Sequence, residues 1–376
     1  MVTAIVSDLH LGALGESDVA SAPDRRERLF EAVSGADRIV LLGDVLELRQ
    51  RPLAQLLGLV QPFFEGLGRA AAGRRVLIVP GNHDHALAEP WLTRLRVEGQ
   101  PLGPEAEWPV DPGEGAAGRL AEWMPDAEVT LAYPGIRLRR DVYATHGHYL
   151  DLHMTVPRLE AIGASAMGRL TGRGQACETP TDYEAVLAPM YALLVGLAQG
   201  ASPMLLERGG RVSRSVWRRV NGNGHLGRLL LARVTIPGAV AVLNRAGLGP
   251  FRPELTGEGL RRSGLHAMGQ VAESLVPGIE HVVFGHTHRP GPLPDDDRAE
   301  WTTESGIRLW NSGNWFHDPA LVRRSDVRSP YWPGTMLVLD DTGPPRLENV
   351  PLGAATGSPA PRLPTGGRAG PPHGRS

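Results

Sequence analysis

Short apolar runs recur along the first half of the chain, at residues 2–7, 38–42 and 76–79, and amphipathic stretches separate them. The runs have the length of buried strands, and the intervening stretches 24–33 and 53–69 read as helices. Pro52 sits at the first turn of the second of these, where a missing N–H costs nothing, and Gly73 ends it. Strand-helix alternation of this kind predicts βαβ units around a largely parallel sheet. Further on, residues 87–97 read as a helix and residues 100–118, rich in Pro, Gly and Glu, as a loop. Residues 128–132, 136–139 and 142–145, turned at Pro134-Gly135, read as the start of a second sheet, and residues 307–310 and 335–339 as closing strands.

Between His148 and His286 the pattern becomes helical and the composition shifts, so residues 150–275 are expected to form a helical insertion. Residues 185–206 carry no charge and approach the length of a bilayer span. Pro189, Gly196, Gly200 and Pro203 interrupt them, with Gln199 and Ser202 adding polarity, which favours a buried or interfacial helical pair. Arg208, Arg211, Arg214, Arg218, Arg219, Arg228 and Arg233 follow with only Glu207 against them, and Arg211, Arg214 and Arg218 share one helical face. Asn221-Gly222-Asn223-Gly224 breaks that helix, and residues 234–244 are again uncharged. Two readings stay open for the segment: a lid that meets an anionic amphiphile or a membrane surface, or a solvated basic face beside structural packing. Residues 352–376 are Pro/Gly/Ala-rich and are expected to be a disordered tail.

At 376 residues the chain fits one large α/β domain with an insertion better than two modest domains. Its 39 basic and 41 acidic residues give a net charge of −2, so no global field advertises nucleic acid or acidic membrane. All the basic residues are arginine, which looks like coding bias and removes any argument from Arg in place of Lys. The single cysteine, Cys177, excludes an intramolecular disulfide and suits a reducing compartment. The chain enters its first strand at once, without the charged and apolar regions of a secretory signal, and the cytoplasm is the expected location, with peripheral contact at the inner face of the membrane if the insertion acts as a lid.

Five polar clusters each close an apolar run: Asp8-Leu9-His10, Gly43-Asp44, Gly81-Asn82-His83-Asp84, His146-Gly147-His148 and Gly285-His286-Thr287-His288. That spacing puts them on loops at the carboxyl ends of strands, where an α/β sheet gathers its active site. Asp, Asn and His supply oxygen and imidazole donors for borderline-hard divalent ions, and no cluster contains cysteine. Two ions close together need a shared carboxylate, and Asp44 is the natural bridge. In Gly285-His286-Thr287-His288 the two imidazoles are expected on one side of an extended segment, since alternate residues share a face. Gly43, Gly81 and Gly285 allow tight turns beside the site. Glu47 is read evenly as a partner of the site or the cap of a turn. Asn311-Ser312-Gly313-Asn314 is read as a strand-end turn beside the site, and His85, His153, His225, His266, His281 and His317 are assigned to surface or packing.

These clusters, in this order and with Gly43-Asp44-Val45-Leu46-Glu47 completing the second, resemble the calcineurin-like metallophosphoesterases. The resemblance implies a four-layer α/β/β/α sandwich with the helical insertion: catalytic domain 1–149 and 276–351, insertion 150–275, tail 352–376. It implies two divalent metal ions, manganese first with iron or zinc as alternatives. One is held by Asp8, His10, Asp44 and His288, the other by Asp44, Asn82, His146 and His286, with a bridging hydroxide as nucleophile. It makes His83 a catalytic residue oriented by Asp84, acting on the phosphoryl or the departing oxygen. His148 is left between a substrate-facing role and a supporting one. The expected reaction is hydrolysis of a phosphoester or pyrophosphate bond. Gly285-His286-Thr287-His288-Arg289-Pro290 and Asp8-Leu9-His10-Leu11 look like the branch that cleaves UDP-diacylglucosamine, which points to a phosphorylated small-molecule or lipid-linked substrate. That branch generally has Asn-Arg-Asp where this chain has Asn82-His83-Asp84, and its insertion is shorter. A nuclease of the same fold and a metal-free interaction scaffold are the alternatives, the first opposed by the near-neutral charge and the second by the full ligand set.

Overall fold

The computed structural model describes every residue except 16, 174–175, 201–235, 255, 319–320, 323–325 and 353–376. The basic face at Arg211, Arg214 and Arg218 and nearly all of the expected tail therefore lie outside the described residues.

Strands β1 (Thr3–Val6), β2 (Arg38–Leu42) and β3 (Arg75–Val79) lie side by side and parallel. They are apolar almost throughout because each of their faces is covered. From β1, Ala4 and Val6 enter the core beneath the outer helices, while Ile5 points the other way. In β2, Ile39 and Leu41 face the helices and Val40 and Leu42 face inward. The period of two thus divides one set of strands between two cores.

β4 (Ala106–Pro109), β5 (Glu128–Tyr133), β10 (Thr335–Leu339) and β11 (Arg346–Asn349) complete a seven-stranded sheet of order β11-β10-β1-β2-β3-β5-β4. A second sheet, order β6-β7-β8-β9, is made by β6 (Gly135–Arg139), β7 (Val142–Thr145), β8 (His281–Phe284) and β9 (Arg308–Asn311). The two sheets pack face to face through Ile5, Val40, Leu77 and Val79 on one side and Ile136, Leu138, Val142 and Val283 on the other.

Outside the first sheet lie α1 (Pro23–Val33), α2 (Leu53–Ala70), α3 (Glu89–Glu98) and α4 (Gly115–Glu122), which bury Leu29, Phe64, Trp91 and Leu120 against it. Outside the second lie α5 (Leu159–Leu170), α6 (Pro180–Gly200), α7 (Ile236–Arg245) and α8 (Gly257–Leu275). Met268 and Val271 of α8 pack with Tyr143, Val282 and Phe284 of the sheet, and Tyr183 and Tyr191 of α6 belong to the same cluster. The molecule is a four-layer α/β/β/α sandwich.

Three expectations change. Residues 128–132 do not begin the second sheet: β5 pairs parallel with β3 in the first, and the chain crosses between sheets at Pro134. The loop expected over residues 100–118 contains β4 and the start of α4. β4 is an edge strand ending in Pro109 that leaves alternate residues exposed, so it lacks an apolar run, and α4 opens on a glycine. β11, at the other edge, has only partly covered side chains and was missed for the same reason. Among the described residues no helix is long and apolar enough to cross a membrane.

Candidate metal centre

Because β1, β2 and β3 run parallel, their carboxyl ends lie at one edge of the first sheet, and those of β7 and β8 meet them from the second. The five loops leaving these ends carry all the expected ligands. Three groups of donor atoms come within 4.8 Å of one another there: Asp8, His10 and His288; His10, Asp44 and His83; and Asp44, His146 and His286.

Asp44 lies between the clusters. Its Oδ2 is 3.7 Å from His10 Nε2 and 3.3 Å from His146 Nε2, while Oδ1 accepts a 2.8 Å hydrogen bond from the His83 amide. On the first side His288 Nε2 stands 3.2 Å from Asp8 Oδ1 and 3.2 Å from His10 Nε2. On the second, the carboxamide end of Asn82 lies 3.2 Å from His146 Nε2 and His286 Nδ1 and 3.3 Å from Asp44 Oδ2.

The outer ring nitrogens fix the inner ones. His10 Nδ1 donates to Glu47 Oε2 at 3.2 Å, His146 Nδ1 to the Leu42 carbonyl at 3.1 Å, and His286 Nε2 to Asp151 Oδ1 at 3.0 Å. Each imidazole is thereby left with its other nitrogen directed at the centre, the arrangement that orients histidine on a metal. The Asn82 oxygen faces acceptors alone; turned over, its nitrogen would donate to Asp44, His146 and His286 and its oxygen would accept from Arg49. The carboxylate of Asp44, the carboxamide of Asn82 and the inner ring nitrogens of His146 and His286 converge, an oxygen and imidazole set that suits a divalent cation once the imidazoles lose their inner protons. The residues therefore fit two divalent ions, with Asp44 common to both.

Backbone geometry marks the same positions. Among the described residues the non-glycine residues with positive φ are Asp8, His10, Asp44, His286 and His288. Asp and His enter the left-handed region more readily than most residues, yet each pays roughly 1–2 kcal/mol there. The surroundings hold them: the His286 amide donates to Asp8 at 3.0 Å, and Asn311 and Asn314 donate to the Gly285 and His288 carbonyls at 2.7 Å. His286 and His288 thus sit on a coiled rather than an extended segment, which sends one imidazole to each cluster. Asn311-Ser312-Gly313-Asn314 ends a strand as expected, and it also secures this loop. At Gly43, with φ of 80°, a Cβ would fall on the His146 ring, and at Gly81 it would strike Asp44 and His146.

Asp84 does not orient His83. Its carboxylate accepts from the amides of Gly81 (2.7 Å), Asp44 (3.2 Å), Val45 (2.7 Å) and Leu46 (3.2 Å), which ties the β2 and β3 loops together. Burial beside Asp44 raises its pKa. Glu47 takes the expected place: fully buried, it receives His83 Nδ1 at 2.8 Å and His10 Nδ1 at 3.2 Å, and its Oε1 also caps the Arg49 amide at 3.1 Å. Both readings of Glu47 therefore hold. A carboxylate one helical-turn length beyond Asp44 reaches the imidazole, whereas Asp84, adjacent to His83, is turned toward backbone.

Burial alone would raise the carboxyls of Asp44, Asp8 and Glu47, but the surrounding imidazoles hold all three below their usual range. Burial alone would lower His10 and His146, but Glu47, Asp44 and Asp8 raise His10 to about 9, and Asp44 and Asp8 raise His146 to about 9. His148 is pushed well down by burial and by the neighbouring His146, His286 and His85. It is 1% exposed, bonds Tyr133 OH through Nε2 at 3.0 Å, and so is enclosed rather than open to solvent. Of the remaining histidines, His85, His153 and His281 pack against Glu184, Tyr183 and Trp310, and His266 is exposed. His225 lies outside the described residues. Asp151, Glu184 and Arg49 had no sequence signal, because their roles exist only through the contacts the fold creates.

Residues 1–169 match the family described as calcineurin-like phosphoesterase, which supports a phosphoesterase hydrolase. No curated protein matches the chain. Among solved structures it is similar to a dimetal phosphatase from Danio rerio, with 10% identity and a TM-score of 0.33 over 93% of this chain and 99% of that one.

Asp44→Asn should reduce bound metal toward one equivalent or none and abolish turnover, because the shared donor is lost to both positions; two tightly held ions in that variant, counted by elemental analysis, would contradict the sharing. A second expectation concerns pH. In the metal-free protein His10 and His146 keep their ring protons up to about 9, above the ordinary 6.5, so below that pH an ion must expel them. Calorimetric titration in two buffers of different ionisation enthalpy should show proton release at neutral pH and an affinity that rises toward pH 9. Affinity independent of pH over that interval, with no release, would contradict the assignment.

Proposed function

We propose that this enzyme cleaves phosphoester or pyrophosphate bonds at two divalent ions, with Asp8, His10, Asp44 and His288 holding one and Asp44, Asn82, His146 and His286 the other. The observation that carries the reading is the single Asp44 oxygen facing His10 on one side and His146 on the other. When bound, the ions would supply a water nucleophile that ionises near neutral pH and positive charge for the phosphoryl oxygens.

The chain itself contributes the proton handling. His83 gives its Nδ1 hydrogen to Glu47, which leaves Nε2, 3.9 Å from Asp44 Oδ2, turned toward the centre. The ring lies edge-on to His10 at 4.7 Å between centroids and is 19% exposed, so a substrate can reach it. Nε2 is then the atom that stabilises a phosphoryl oxygen or passes a proton to the departing one, and Glu47 fixes its tautomer. Asp84 acts on the loop and not on the proton.

For the substrate we favour a phosphorylated small molecule with an apolar or nucleotide-linked portion, and manganese as the working metal. Five of the eight large hydrophobic side chains exposed among the described residues, Leu159, Leu170, Leu193, Leu197 and Val242, lie on α5, α6 and α7. A concentration of apolar surface on one segment supports an amphiphilic ligand or peripheral membrane contact there.

A Mn²⁺ panel of p-nitrophenyl phosphate, bis-p-nitrophenyl phosphate, cyclic nucleotides and nucleotide-diphospho-lipids tests this. Turnover should vanish with chelator and return with metal, and the lipid-linked substrates should be preferred; no turnover on any member would overturn the proposal, and salt-sensitive DNA binding with DNA cleavage would replace it with a nuclease. His83→Ala should keep both metals while lowering kcat by roughly 10²–10⁴-fold. The loss should be smaller for good leaving groups if Nε2 protonates the departing oxygen, and uniform if it stabilises the phosphoryl group. Loss of metal in that variant would show that His83 is a ligand instead.

A further inference from the structure

The two metal positions are supported by different parts of the molecule. Asp8, His10 and His288 are held by the His286 amide, by Glu47 and by Asn314, all on loops of the two sheets. Asn82, His146 and His286 have a second set of neighbours, and that set converges on one buried carboxylate of α6.

Glu184 accepts from Tyr133 OH at 2.6 Å and Tyr149 OH at 2.8 Å, and meets His85 Nε2 at 2.9 Å. His85 follows Asp84 on the loop that carries Asn82. Tyr133 OH spends its hydrogen on Glu184, so its oxygen accepts from His148 Nε2 at 3.0 Å, and the His148 ring lies 5.6 Å from that of His146. Tyr149 shares the short turn His148–Leu152 with Asp151, the carboxylate that holds His286 at 3.0 Å. Two turns further along α6, Tyr191 lies under the Arg49 guanidinium at 5.5 Å. Glu184, Tyr133, Tyr149 and His148 are all buried, Glu184 with 10% of its side chain exposed. Every ligand unique to the second position is thus braced, through chain neighbours, against Glu184, whereas among the described residues the first position meets α6 through Glu47, Arg49 and Tyr191 and not through Glu184.

We infer that Glu184 is a positioning residue for the second metal alone: the seating of α6 sets how tightly Asn82, His146 and His286 hold their ion, and occupation of that position in turn secures α6. The inference rests on the ligand assignment proposed above. Supporting residues around a metal ligand typically change affinity by about 10–100-fold, and coupling between two events is reciprocal.

The test is a Mn²⁺ titration of the full chain and of Glu184→Gln, followed by calorimetry, with hydrogen exchange on α6 recorded at zero, one and two equivalents. In the wild type, two equivalents bind and the second slows exchange in α6. In Glu184→Gln the first equivalent keeps its affinity, the second weakens by about 10–100-fold, and α6 exchanges alike at one and two equivalents. Should the Gln variant fold poorly by circular dichroism, Tyr133→Phe removes the link to His148 while keeping the ring, and the same selective loss is expected. Glu47→Gln is the converse control, weakening the first equivalent through His10. Equal weakening of both equivalents in Glu184→Gln, or no weakening, would overturn the inference while leaving the metal assignment intact. A wild type that binds no metal would instead overturn the assignment.

Discussion

Two cations held a few ångströms apart repel each other, and a site can keep both only if a negative oxygen stands between them. In the proposed centre Asp44 is that oxygen, and much of the surrounding structure fixes it. The His83 amide holds one of its carboxylate atoms, so that the other is left for the ions. Asp84 clamps the backbone on either side by accepting from Asp44, Val45 and Leu46 as well as from Gly81. Gly43 and Gly81 lack side chains because His146 and the Asp44 carboxylate occupy the space a Cβ would need. A carboxylate fully buried among imidazoles stays ionised only because they surround it.

Holding five residues of the candidate site in the left-handed backbone region has a cost, and the sandwich offsets it. The strands that end at these loops are buried on both faces, so their ends cannot shift without opening a core. The loops are tied to one another, Asp8 to the His286 amide across the two sheets and Asn311 to the Gly285 carbonyl within the second. Rigidity of this kind would place donors in advance of a metal.

The clustering of the candidate ligands was legible in the sequence because the chemistry proposed for them confines them: each is Asp, Asn or His, and each stands just past the end of a buried strand. The strands were legible where both faces are covered, as in β1, β2 and β3, and not at the edges, where β4 exposes alternate residues and no side chain of β11 is fully buried. The sheet to which β5 belongs depends on its pairing with β3, which no local pattern records. The partner of His83 was misassigned because adjacency in the chain favoured Asp84, while the fold turns that carboxylate toward backbone and brings Glu47 across. Asp151 and Glu184 meet His286 and His85 from 135 and 99 residues away, and such contacts leave no trace in spacing.

The proposed chemistry depends on two ions sharing Asp44. A crystal grown with Mn²⁺ and measured at wavelengths on either side of the manganese edge locates them directly. Two anomalous peaks are expected, one among Asp8, His10 and His288 and the other among Asn82, His146 and His286, both within bonding distance of the Asp44 carboxylate. A single peak, or a pair in which Asp44 touches only one, would contradict it.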